Sequence, residues 1–268
     1  MIHGRNDPQR VWATLDVATI ALVVRLLVVV HALCEPVWDG HYYDLGARRI
    51  ADGLGYSEDL YVASADGGER AIWLPWAHYP VGYSGFLAVF LKLLGRGIAV
   101  PGVANALTGA ALAAVVHQLA LHAFGARGTR GLADVRAWAA GLLVALHPGL
   151  VLYSGALMTE PLAALAMLAA ILFALADPRP LRGAVVSGVC LGVATLVRPN
   201  ALLLAPFVAI VAARATYRTM RAHPIRALLV LLGRGAVVTA VTLATVAPWT
   251  LRNCRVMDAC ALVSTNAG

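Results

Sequence analysis

Six side chains suited to handling a phosphate and a hydroxyl lie beside apolar stretches: Asp39, Asp44, His78, Glu160, Arg198 and Arg252. A carboxylate can take a proton from an attacking hydroxyl. An arginine can fork two hydrogen bonds onto a phosphate. Charge placed against a bilayer is costly and faces a cavity or a partner, so this grouping points to a reaction on an anionic lipid headgroup. Each residue also has a plainer reading. Asp39 could cap the helix that follows it, and Asp44 could be a solvated or ion-paired residue of that helix. Glu160 could complement a helix dipole, Arg198 could snorkel to the headgroups, and Arg252 could be an interfacial anchor. For His78 the two readings balance.

The elements that must position these groups are apolar. Of 268 residues, 60% are hydrophobic and 13% charged, about half the charged share of a soluble domain. Stretches approaching the roughly 20 apolar residues of a membrane span recur at 13–34, 98–124, 137–153, 160–176 and 227–249. The stretch 183–213 accommodates two shorter spans broken at Arg198-Pro199, because proline lacks an N–H and disfavours helix at the residue before it. The fold class predicted is an all-α, multi-pass membrane protein with about seven transmembrane helices.

Charge gives this bundle a direction. Arg5 and Arg10, then Arg127, Arg130 and Arg136, then Arg179 and Arg182, then Arg214, Arg218, Arg221 and Arg226 all fall on one side of the predicted spans. The positive-inside bias makes that side cytoplasmic. Residues 1–12 become a cytoplasmic N-terminus, 13–250 the transmembrane domain with an external loop at 35–97, and 251–268 an external segment. The external loop is acidic, with Glu35, Asp39, Asp44, Asp52, Glu58, Asp59, Asp66 and Glu69. Within it, 42–54 reads as a short amphipathic helix ended by Gly53 and Gly55. The piece 82–94, flanked by Trp73, Trp76, Tyr79 and Tyr83, reads as a helix lying on the outer surface. No internal repeat is visible, and abundant Gly and Ala suit close helix packing in lipid.

The same features exclude other classes. The net charge of +7 sits in short loops beside spans, without a basic-aromatic stripe or zinc spacing, so no nucleic-acid partner is expected. Cys34, Cys190, Cys254 and Cys260 form no CxxC pair. Two unpaired thiols are expected at 254 and 260 in preference to a small disulfide. The N-terminal run lacks a small-x-small cleavage site, so the first segment is expected to be a retained helix. Arg25, deep in that segment, should meet a helix carbonyl or a carboxylate; Asp16 and Arg234 should snorkel. His117 and His122 have no second ligand at metal spacing and read as packing or interfacial residues.

Several motifs together resemble a family. The run Trp38-Asp39-Gly-His-Tyr-Tyr-Asp44, continuing to Tyr56, is similar to the first external loop of polyprenyl-phosphate-dependent glycosyltransferases of the GT-C fold. Those include protein mannosyltransferase-like and aminoarabinose transferase-like enzymes. His78-Tyr-Pro-Val-Gly-Tyr83 resembles the start of their interfacial helix, and Thr159-Glu160-Pro161-Leu162 their acidic turn. Thr195-Leu-Val-Arg198-Pro199-Asn200 resembles their Arg-Pro break, and Pro248-Trp-Thr-Leu-Arg252-Asn253 the end of a late span. The motifs occur in the family's order along nearly the whole chain.

The resemblance implies an inverting enzyme that moves a sugar from a polyprenyl-phosphate carrier to an extracytoplasmic glycan, lipid or protein acceptor. Asp39 would be the leading catalytic carboxylate and Glu160 a second. Asp44 would lie at the substrate, Arg198, Arg252 and His78 would hold the departing phosphate, and Tyr83 would line the lipid side. No cofactor is required, and a divalent metal is optional, since some relatives use one. Family members usually continue with further spans, while this sequence ends just after the last shared motif. Two rivals therefore stand beside the enzyme: a non-catalytic, truncated membrane relative, and a transporter or lipid flippase, which would show broken helices at mid-depth.

Overall fold

The computed structural model describes residues 7–31, 36–63, 68–125, 130–176, 179–219, 223–257 and 260–266. Helix α1 (Pro8–His31) opens the fold, and Pro8 at its start suits a first-turn position whose N–H has no partner. The segment after it holds α2 (Asp39–Ala51), the strands β1 (Ser57–Ala63) and β2 (Glu69–Pro75), and α3 (Val81–Leu94). Then come α4 (Val100–Gly125), α5 (Arg130–Ala145), α6 (Pro148–Ala156) and α7 (Glu160–Ala176). The last part has α8 (Pro180–Val197), a 3-10 turn (Pro199–Leu204), α9 (Ala205–Thr219) and α10 (Pro224–Val256).

Helix dominates, as expected, but the acidic loop also contains an antiparallel hairpin. Ser57 pairs with Pro75 and Ala63 with Glu69. No element was expected between 54 and 82. Leu60-Tyr-Val62 and Ile72-Trp-Leu74 are the β-branched and aromatic runs that favour strands, and their brevity hid them among acidic neighbours.

Four helices, α1, α4, α8 and α10, are long and apolar enough to cross a membrane, or five if α5 and α6 count as one bent span. The shorter apolar helices are α3, α7 and the stretch 199–214. By length and composition this is fewer than the seven spans expected from hydropathy. Large apolar side chains on the outside, such as Leu143, Leu203, Leu229 and Leu232, are compatible with a lipid surround.

Helix α4 lies against α1, α5 and α7, while α8 lies between α7 and α10. Small residues allow this closeness. A Cβ on Gly192 would stand 2.5 Å from the Thr245 Cβ, so the α8–α10 contact depends on its absence. A second buried cluster joins α2 and α3 to the bundle through Tyr43, Ala47, Leu87, Leu91, Leu162 and Val197.

The expected third span, 137–153, is broken. Helix α5 stops at Ala145, Pro148 opens α6, and the axis bends by 41°. The break frees carbonyls at the end of α5, and Arg25 takes them. Its guanidinium donates to the Ala145 carbonyl at 2.8 Å and the Val144 carbonyl at 3.1 Å, and is buried. The expected helix-carbonyl partner is thus found, and it explains a cation in an apolar helix. His117 behaves as a packing residue, bonded through Nδ1 to Thr14 Oγ at 2.9 Å.

Candidate active site

At the end of the bundle where α1 and α8 finish and α7 begins, three separate parts of the chain meet. The first is the start of α2. Asp39 is the first helical residue; the capping position is Trp38, with φ 52°, and no side chain caps the helix. Asp39 therefore does not spend its carboxylate on its own helix. A positive φ at a bulky residue is strained and persists only where surroundings enforce it. Two residues on, Gly40 packs so closely that a Cβ would lie 2.6 Å from the Ala156 carbonyl oxygen at the end of α6.

The Asp39 carboxylate instead accepts a hydrogen bond from the Tyr79 hydroxyl at 2.8 Å. Tyr79 stands just before α3, whose Gly82 comes so close to α8 that a Cβ there would lie 2.5 Å from the Leu196 carbonyl carbon. Its ring stacks on Tyr42 and meets Tyr43, Trp76 and His78 edge-on. Partial burial first, then the hydrogen bond and charge of Asp39, push the Tyr79 phenol up to about 12. Burial, followed by the Asp39 charge, likewise raises Tyr43 to about 12. Both phenols stay protonated and serve as donors at neutral pH.

The second part is the α6–α7 turn with the end of α8. Proline at 199 forces Arg198 out of the helix into extended backbone (φ −141°, ψ 109°). The turned-out guanidinium donates from Nη2 to Glu160 Oε1 at 2.5 Å and from Nε to Thr159 Oγ at 3.0 Å. Glu160 Oε2 is buried without a hydrogen-bond partner among the described residues. The pair is half-exposed and sits at the positive end of α7.

The third part is the segment after α10. Cys254 and Cys260 are joined as a disulfide, which corrects the expected free thiols. Their close spacing alone did not decide this. What decided it is the fold-back of the chain, which returns residues 261–266 over the end of α10. The Val263 carbonyl accepts from Trp249 Nε1 at 2.7 Å and from Asn253 Nδ2 at 3.3 Å. The Thr250 hydroxyl donates to the Leu262 carbonyl at 2.7 Å. Farther along, the Thr265 and Asn266 amides donate to the Ala77 and His78 carbonyls.

Between the three parts lies an open cleft of about 660 Å³. Asp39, Tyr43, Tyr79, Thr159, Arg198, Asn200, Ser264 and Asn266 give its polar lining, and Pro80, Val197, Pro199, Leu262 and Val263 its apolar part. Of the residues singled out from sequence, Asp39 and Arg198 line it directly, and Glu160 reaches it through Arg198. His78 is exposed beside it, with its ring stacked on Trp76.

The others are engaged elsewhere. Asp44 is buried on α2 and accepts from Arg48 Nε at 2.7 Å. Tyr83 is fully buried and donates its hydroxyl to Asn105 Oδ1 at 2.9 Å. Arg252 donates to the Tyr56 carbonyl at 2.7 Å and the Trp76 carbonyl at 2.9 Å, with its guanidinium carbon 4.6 Å from the Trp249 ring centre. Its contacts tie the foot of the hairpin to α10.

The reading from sequence missed Tyr79 as a partner of Asp39, and missed Thr159, Asn200, Ser264 and Asn266 as lining. Tyr79 and Asn200 stood inside quoted motifs, whereas nothing local marks Ser264 or Asn266. Among the described residues no group of three His, Cys, Asp or Glu side chains converges as a metal site would require. No protein-family profile, curated protein or solved structure matches this chain.

Proposed function

We propose that this chain is a multi-pass membrane glycosyltransferase whose cleft opens at the extracytoplasmic face, with the N-terminus in the cytoplasm. It moves a sugar from a polyprenyl-phosphate carrier to an acceptor hydroxyl. The observation that carries this reading is the shared cleft. An exposed carboxylate held by a neutral phenol and an arginine freed by a proline break face one cavity at the end of an apolar bundle.

The chemistry follows from the residue types. Asp39 takes the proton of the acceptor hydroxyl as that oxygen attacks the anomeric carbon. The bond from the anomeric carbon to the phosphate oxygen breaks on the opposite face, so the configuration inverts. The departing polyprenyl phosphate gains charge, which Arg198 meets with its fork of donors. Glu160 and Thr159 hold that fork in place, and His78 sits at the rim within reach of a headgroup. Asp44, Tyr83 and Arg252, proposed from sequence at the substrate, instead hold the frame. Arg198 carries the phosphate role because it lines the cleft, whereas Arg252 is turned to the Tyr56 and Trp76 carbonyls.

The test uses proteoliposomes containing the chain and labelled polyprenyl-phosphate sugars, and measures released carrier phosphate. Asp39→Asn should lower transfer by about a hundredfold or more, the scale of a lost general base. Undiminished transfer in that variant would remove Asp39 from the chemistry.

A lipid-phosphate flippase is the second reading. It is favoured by the break between α5 and α6, which adds to the one at Arg198-Pro199. Carrier crossing the bilayer of the same proteoliposomes, without release of phosphate, would select it.

A further inference from the structure

Within the cleft, polar groups divide into those already spent and those left over. Asp39 is bonded to Tyr79, and Arg198 to Glu160 and Thr159. In the returning segment, Trp249, Thr250 and Asn253 direct their side-chain donors at its backbone carbonyls. Asn200, Ser264 and Asn266 also line the cavity, and no side-chain hydrogen bond engages them among the described residues.

We infer that Asn200, Ser264 and Asn266 form a subsite for the sugar of the carrier, with the strap 261–266 as its rigid wall. This inference rests on the proposed glycosyl transfer. Amides and hydroxyls each offer both donors and acceptors, the complement of a polyol. A phosphate or carboxylate would call for cations, and the only cation lining the cleft among the described residues is Arg198. The wall is preorganised. Val263, on one side of Ser264, is buried and doubly anchored through its carbonyl, while Thr265, on the other, donates its amide to Ala77 at 2.8 Å. The Cys254–Cys260 disulfide closes the short loop that delivers the strap. A side chain held between two fixed points loses little freedom on binding, so its hydrogen bonds count nearly in full.

The experiment measures equilibrium binding to the full chain in nanodiscs, comparing polyprenyl-phosphate sugar with polyprenyl phosphate alone, and transfer in parallel. In the unaltered chain the sugar should tighten binding about tenfold over the sugar-free carrier, as two or three neutral hydrogen bonds would. Ser264→Ala with Asn266→Ala should erase that tenfold gain and leave sugar-free carrier binding unchanged. Asn266→Asp keeps the size, removes the amide donors, and should act in the same direction. Asn200→Ala should weaken discrimination between donors epimeric at one hydroxyl. Equal affinity for the two carriers in the unaltered chain would overturn the inference, as would variants that keep the sugar's full contribution. Sugar-dependent binding without any transfer would sink the proposed enzyme while leaving the subsite standing.

Discussion

Glu160 and Arg198 are each more than a third exposed, and that decides what their ion pair is for. A pair so wetted contributes at most about 1 kcal/mol to stability, so its use lies in aiming the guanidinium. Glu160→Gln should shift the unfolding midpoint barely at all in a thermal melt in detergent, yet reduce carrier-phosphate release severalfold. A large loss of stability would instead mark the pair as a structural brace. Tyr79 and Tyr43 give a second handle. Raised phenols stabilise the fold below the unfolded value of 10 and lose that contribution as pH climbs towards about 12. Tyrosinate absorbance of the folded protein should therefore lag that of the denatured chain across this window. Overlapping titration curves would mean that neither phenol is held in its neutral form.

At the scale of elements, one buried arginine holds a helix break together. Bending between α5 and α6 leaves the carbonyls of Val144 and Ala145 without helical partners, and Arg25 supplies donors to both. Arg25→Met keeps much of the apolar stem and strands two buried acceptors. Each orphaned group costs about 1–3 kcal/mol, so the variant should lose roughly 2–6 kcal/mol, visible as a lower melting temperature. Unchanged stability would mean that water reaches the break. The hairpin between α2 and α3 has a different role. Its foot accepts both of the Arg252 contacts to Tyr56 and Trp76, and so fixes the aromatic group in which Tyr79 sits.

For the whole molecule, the decisive arrangement is that residues 39, 160, 198 and 264–266 share one end of the bundle. Single cysteines introduced at 39 and 160, in a background lacking native thiols, should react with an impermeant reagent from the same compartment. Cysteines near 10 and 136 should react from the opposite one. Labelling of 39 and 160 from opposite compartments would dissolve the cleft as a functional unit.

Hydropathy and proline placed the helices. The ends of α4, α7 and α8 fall close to where composition put them, because apolar runs and Pro199 act through neighbours a few residues away. The end at which Asp39, Glu160 and Arg198 gather was legible for the same reason, since Glu160 begins an apolar run, Arg198 ends one, and Asp39 follows the first by a few residues. The i,i+4 spacing of Asp44 and Arg48 made an ion pair readable as well. Only the tertiary structure chose the remaining partners: Tyr79 for Asp39, Glu160 and Thr159 for Arg198, and two backbone carbonyls for Arg252. It also joined Cys254 to Cys260 and laid Ser264 and Asn266 along the cleft. Such pairings depend on how whole helices pack and where a short tail folds back. No local propensity encodes that choice, because the interacting groups become neighbours only once the bundle has closed.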